Sequence, residues 1–235
     1  MKPIDLSLRL FAAGLVWSLA AHVQAITVSQ ADGFQDGTAM SWTGADTTIA
    51  ADLGPTGAGD DSLRVSSTLR FTAYNQTQWS GNWTAARVTQ IAMDVRHNND
   101  SALTLWIGIS RGLPMSKGTG DTYVSNLSAT VPNDDQWHTI VFDVKASDFS
   151  AAPSHTDASN NPAAALAAVT QFRILHNPLR RFIGAYYEGT VLLDNIHAVP
   201  EPSTLGLASL VGTAALCWLE RRQSFCVRSR LKNHF

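Results

Sequence analysis

Apolar residues recur at every second position through much of the middle of the chain. Leu103, Leu105, Ile107 and Ile109 alternate with Thr104, Trp106, Gly108 and Ser110, which puts one row on a core face and the other on the opposite face of a β-strand. The same period of two appears in Ile91, Met93 and Val95, in Ile140, Phe142 and Val144, and in Phe172, Ile174 and His176. Residues 63–66 and the mostly apolar 190–197 add two further strands, and Gly, Asn and Asp turns separate the runs. Only the alanines of 162–169 predict helix, a turn or two capping one end. Strands do not alternate regularly with helices, so the pattern predicts an all-β, double-sheet jelly roll rather than an α/β fold.

Two apolar runs at the ends have no such period. Residues 10–21 follow Lys2 and Arg9 and precede Val23, Gln24 and Ala25, the order of a cleaved signal peptide spanning 1–25. Residues 204–219 are apolar throughout; at about 1.5 Å per residue they reach roughly 24 Å, against a hydrocarbon core of about 30 Å, and span it with local thinning. This predicts a single C-terminal transmembrane helix. Arg221, Arg222, Arg228, Arg230 and Lys232 lie beyond it, which places the basic tail 223–235 in the cytoplasm and the sandwich, 26–198, on the exported side.

Composition sharpens this division. The middle carries 10 Lys and Arg against 16 Asp and Glu, a net charge of about −6, although the whole chain is near neutral; nucleic acid is thereby excluded as a natural partner. Both cysteines, Cys217 and Cys226, fall at or after the C-terminal run, so the exported domain holds together without a disulfide.

The boundary at the C-terminal side is a motif. Val199, Pro200, Glu201, Pro202 and Ser203, followed by the apolar run and then Arg221 and Arg222, resemble the PEP-CTERM sorting signal of Gram-negative bacteria, residues 199–222 here. Its Pro-Glu-Pro box is recognised by an integral-membrane exosortase. The resemblance implies export with signal peptidase and exosortase as processing partners, transient anchoring in the inner membrane through the C-terminal helix, and then a cell-surface or extracellular location. It also implies association with exopolysaccharide, as in a biofilm matrix, because this sorting system is coupled to exopolysaccharide production. The tail beyond Arg222 is longer than such signals usually carry.

Inside the domain, Phe34, Gln35, Asp36 and Gly37 open the chain and Asp194, Asn195 and Ile196 close it. This pairing resembles the galactose-binding-like jelly rolls of many carbohydrate-binding modules, and the resemblance implies that first and last strands meet beside a structural calcium ion. Asp36, Asp60, Asp61 and Asp194 are the candidate calcium ligands, since the adjacent carboxylates Asp60 and Asp61 repel unless solvent or a cation separates them. Gln35 stands where the family has glutamate, a weaker ligand for a hard cation.

The most aromatic short segment runs from Trp79 through Asn82 to Trp83, preceded by Tyr74 and Asn75. Indole faces stack on the C–H faces of sugar rings while amides read hydroxyls, so Tyr74, Asn75, Trp79, Asn82 and Trp83 form a candidate glycan platform; the competing role for the tryptophans is to fill the sandwich. Catalysis has no marked constellation. The histidines 97, 138, 155, 176 and 197 lack metal-ligand spacing, no cysteine nucleophile is present, and the domain has a single glutamate, Glu188, among scattered aspartates. The expectation is a non-enzymatic envelope protein that binds or is embedded in exopolysaccharide. Its rivals are a polysaccharide hydrolase or lyase on the same scaffold and a purely structural matrix protein.

Overall fold

The computed structural model describes residues 26–27, 29–112, 121–153 and 160–201. The expected signal peptide 1–25, transmembrane helix 204–219 and cytoplasmic tail 223–235 lie outside the described residues. Among those described, no helix is long and apolar enough to cross a membrane.

Two antiparallel sheets face each other, as the alternating pattern requires. The six-stranded sheet runs in the order β10 (His138–Asp143), β6 (Val88–Arg96), β13 (Gly189–Pro200), β4 (Ser62–Ser67) and β3 (Asp46–Ala50), with β1 (Ala31–Asp32) also on β13. The seven-stranded sheet runs β11 (Phe149–Ala151), β8 (Asp121–Ser125), β7 (Leu103–Arg111), β12 (Gln171–His176), β5 (Thr72–Asn75) and β2 (Thr43–Gly44), with β9 (Ala129–Val131) also on β7. This is a nearly all-β sandwich with one small helix, α1 (Pro162–Leu166). The Asn161 side chain accepts a 3.0 Å hydrogen bond from the Ala164 amide, and Pro162 occupies the first turn, where its missing N–H costs nothing.

Leu63, Val65, Ile91, Met93 and Val95 of one sheet meet Leu103, Leu105, Ile107, Ile109, Phe172 and Ile174 of the other, all fully buried. The opposite face of the seven-stranded sheet carries a second apolar cluster of Trp106, Val124, Ala152, Leu175 and Phe182. Trp106 thus lies on the face opposite the Leu103 row, as its place in the alternation predicts. A Cβ on Gly108 would come within 2.8 Å of the Phe182 ring, so the absence of a side chain there lets Phe182 lie against the sheet.

First and last strands do meet: Ala31 pairs with His197 and Asp32 with Ile196. A register shift between Asp194 and His197 marks a bulge, with Asn195 at φ 48°. The last strand does not stop at the domain boundary placed at residue 198. Pro200 pairs with Val88, and the Thr89 hydroxyl donates to the Val199 carbonyl at 3.1 Å.

Candidate functional site

The aromatic segment expected to form a glycan platform is instead a core element. Trp79 and Trp83 are 0% exposed, and Trp42 is buried beside them. The Phe172 ring lies 5.1 Å from Trp79, 5.3 Å from Trp83 and 5.6 Å from Trp42. Asp32 holds this nest: its Oδ2 accepts from Trp42 Nε1 at 2.7 Å and from Trp79 Nε1 at 2.5 Å, and its Oδ1 accepts from the Gln30 amide. Burial pushes the Asp32 carboxyl up from its ordinary value, while the indole donors pull the other way. Trp83 Nε1 donates to the Trp79 carbonyl, and the Trp83 amide to the Leu166 carbonyl of α1. With the indole N–H groups of Trp42, Trp79 and Trp83 all satisfied inside the protein, neither Trp79 nor Trp83 has a face or a donor for a sugar.

Two other residues of that platform also serve the fold. Asn75 is buried, donating to the Met40 carbonyl and accepting from the Thr77 amide. Asn82 is exposed, but its side chain accepts from the Ala85 amide and closes a turn. Tyr74 alone of the five lines the groove described below.

Of the four aspartates expected to hold calcium, Asp60 and Asp61 lie near enough to Asp194 for their charge to act on it, but each takes its own hydrogen-bond partners. Asp36 turns to the Thr38 amide and hydroxyl, which hold its carboxyl below the ordinary range. Asp61 Oδ1 accepts from the Asp52 amide, and Asp60 Oδ2 accepts from the Thr56 amide and hydroxyl. The Gln35 amide nitrogen sits among the oxygens where a cation would lie, donating to the Gly33 carbonyl at 2.8 Å and to Asp60 Oδ1 at 2.5 Å. Asp194 is fully buried with Oδ2 unpartnered, and burial, together with the negative charges of Asp60, Asp94 and Asp61, pushes it up to about 7. Among the described residues no group of three or more His, Cys, Asp or Glu side chains is placed to hold a metal ion. The donor set does not fit calcium as expected, because an amide has taken the central place.

The candidate binding surface lies elsewhere. A groove of about 1790 Å³ runs along the edge of the seven-stranded sheet, floored by Tyr74 of β5 and Arg173 of β12, which are paired in register. The same alternation that sends Phe172 into the core sends Arg173 outward. Its guanidinium carbon lies 4.6 Å from the Phe182 ring centre and 5.3 Å from that of Tyr74. Nη1 donates to the Phe182 carbonyl and Nη2 to Gln171 Oε1, whereas Nε is buried without a partner. Burial lowers Arg173 to about 10, so it remains a cation at neutral pH.

The connection between β12 and β13 forms one wall. A Cβ on Gly184 would lie 2.1 Å from the Phe71 carbonyl oxygen, so glycine permits this segment to close on β5. Tyr186, Leu69 and Leu179 line the rim at 69%, 67% and 59% exposure, too open to contribute much to the fold. Arg70 and Arg181 join them, with Asp46 and Glu188 as the acidic lining residues. The three ion pairs among the described residues, Arg96–Asp135, Arg111–Asp121 and His138–Asp134, all lie outside the groove. The pattern that could have revealed this site was Arg173 between Phe172 and Ile174; the adjacent Tyr186 and Tyr187 were a second sign.

Comparison with known proteins bears on both the fold and the terminus. The model of the PEP-CTERM protein-sorting motif matches residues 198–222, which marks the chain for export and surface sorting. Its first three residues are the last three of β13, and the Glu201 amide donates to the Arg87 carbonyl at 3.2 Å. No curated protein matches. Among solved structures, the tandem CBM22-1–CBM22-2 domain of Xyn10C from Paenibacillus barcinonensis is 10% identical with a TM-score of 0.50, covering 73% of this chain and 49% of that one. The family 11 carbohydrate-binding module from Clostridium thermocellum, in complex with a β-1,3-1,4-mixed-linked tetrasaccharide, is 18% identical with a TM-score of 0.48, covering 74% and 97%. The structural neighbours are thus carbohydrate-binding jelly-roll domains, and the likeness extends to the fold.

Proposed function

We propose that this is an exosortase-processed surface protein whose sandwich binds extracellular polysaccharide along the groove floored by Tyr74 and Arg173. The observation that carries the reading is the groove itself. It is larger than the ~300–1,000 Å³ of a small-molecule pocket, and it presents the exposed Tyr186 ring and the half-buried Tyr74 ring beside guanidiniums that have no ion-pair partner among the described residues. The sorting motif supports a location outside the cell where such polymers occur, and the carbohydrate-binding-module fold supports the class of ligand. Exopolysaccharide of the producing cell is the proposed ligand, with signal peptidase acting near Ile26 and membrane anchoring through 204–219 preceding exosortase processing.

Binding rather than catalysis suits the acidic residues present. Glycoside hydrolysis needs one carboxyl group kept protonated by shielding from water, and Asp46 and Glu188 are both exposed. The burial of Trp42, Trp79 and Trp83 favours a second reading, a purely structural matrix protein. The unpaired guanidiniums weigh against it, since a scaffold has no use for them.

Affinity electrophoresis of the purified protein through gels containing the host exopolysaccharide tests the proposal. Retardation that weakens in Tyr186→Ala is expected. Unretarded migration in every polysaccharide gel would leave the structural reading, and release of reducing sugar would favour the enzyme. Alanine at Pro200, Glu201 and Pro202 is expected to leave the protein uncleaved in the inner membrane, and mass analysis of surface protein ending at Phe235 would refute processing.

A further inference from the structure

The groove differs in charge from the rest of the domain. Residues 26–198 carry a net charge of about −6, yet the groove collects Arg70, Arg173 and Arg181 against only Asp46 and Glu188. None of the three arginines belongs to an ion pair among the described residues. Arg173 is the most informative. Its guanidinium is packed between the Tyr74 and Phe182 rings, two of its nitrogens donate to neutral oxygens, and its Nε is buried with no acceptor. A cation removed from water without a counter-charge is destabilising, and an anion entering beside it would offset that cost. The planar fork of a guanidinium matches a carboxylate in two-point contact, a geometry that a neutral hydroxyl cannot reproduce. Elsewhere the domain's own negative charge repels a polyanion, so such a polymer is directed to this one place and into one alignment.

We infer that the groove takes an anionic polysaccharide, one whose sugar units bear carboxylates, with Tyr74 and Tyr186 meeting sugar rings and Arg70, Arg173 and Arg181 meeting the acid groups. This rests on the reading of the groove as the glycan site and specifies its ligand class.

The test is titration of the purified full-length protein with three soluble polymers: polygalacturonate, its fully methyl-esterified form, and xylan. Polygalacturonate should bind at least about tenfold more tightly than the ester, which keeps the backbone and loses the charge. Its affinity should fall between 0.05 and 0.5 M salt as the screening length shortens from above about 10 Å towards 3 Å. The double variant Arg70→Gln, Arg181→Gln, altered only at exposed positions, should lose about five- to tenfold in polygalacturonate affinity with an unchanged melting temperature. Equal affinity for the ester or xylan, with Tyr186→Ala still weakening binding, would overturn the anionic class and leave the groove as a neutral-glycan site. Polygalacturonate binding untouched by both Tyr186→Ala and the double variant would overturn the groove assignment. Failure to bind any of the three would overturn both.

Discussion

Two aromatic collections lie on opposite faces of the same sheet, and adjacent residues feed them. Phe172 enters the nest of Trp42, Trp79 and Trp83, while Arg173 floors the groove; in the same way Asn75 is buried and Tyr74 faces out. Each collection holds one charge against rings, but Asp32 in the nest has its Oδ2 carboxylate oxygen filled by two indole donors, whereas Arg173 in the groove keeps a nitrogen unfilled. Aromatic density does not distinguish a binding surface from a core. The distinction lies in whether the polar groups among the rings are already satisfied.

The largest expected effect tests that distinction directly. Trp79→Ala removes a ring that touches three others and leaves Asp32 short of a donor, so it should cost about 3–5 kcal/mol and lower the melting temperature by roughly 10 °C or more. A variant that kept its melting temperature and lost only glycan binding would reverse the roles assigned to the two faces.

Acid should separate the faces next. Burial holds His97 below its ordinary value of 6.5, against the opposing pull of the Val131 carbonyl and the Asp134 charge. The stability tied to neutral His97 is therefore present above pH 6.5 and is lost as pH falls through the depressed folded value, at up to about 1.4 kcal/mol per pH unit. Arg173, at about 10, keeps its charge over that range. Asp194, at about 7, takes up its proton in the folded state over the same range and stabilises as pH falls, so the His97 contribution is read as a difference: from pH 7 to 5 the wild-type melting temperature should fall relative to that of His97→Gln, while the affinity of still-folded protein holds.

A smaller effect concerns the acidic end of the sandwich. Chelation should leave the wild-type melting temperature unchanged, because Gln35 already donates into the oxygen cluster. Gln35→Glu adds a like charge beside Asp60 and should lower the melting temperature by a few degrees, recovered by added calcium. A chelation-induced drop in the wild type would restore the ion expected from the family resemblance. Smallest is Tyr186→Ala, about 0.5–1.5 kcal/mol of stacking, or roughly two- to tenfold in affinity, with stability unchanged by thermal melting.

The strands of the sandwich interior were legible because each reports its buried face every second residue. Leu103–Arg111 and Gln171–His176 lie where the alternation places them, and the meeting of first and last strands followed from the paired motifs at the two ends. The two-residue strands Ala31–Asp32 and Thr43–Gly44 are too short to display a period. The platform at Trp79–Trp83 was misplaced because a loop has no alternation to say where its rings point; their direction is set by Asp32, 47 positions before Trp79. Arg173 could be placed outward from sequence, but the wall that makes its face a groove comes from the segment between β12 and β13, closed by Phe182 on Gly108 and by Gly184 on β5. Such contacts are decided by packing across the fold.

The absence of a spacer between β13 and the sorting motif has a mechanical consequence. β13 is 12 residues long, about 40 Å, paired with β6 up to Pro200 and with β4 and β1 along its other edge. Tension between a polymer held in the groove and a tether at the C-terminus would pull this strand along its own axis. The ladder bonds lie across that direction, so they share the load in shear and must give way together instead of opening one after another from an edge. The domain would transmit force from the opposite sheet to such a tether through the middle strand of the six-stranded sheet, which runs into the sorting motif unbroken as far as Pro200.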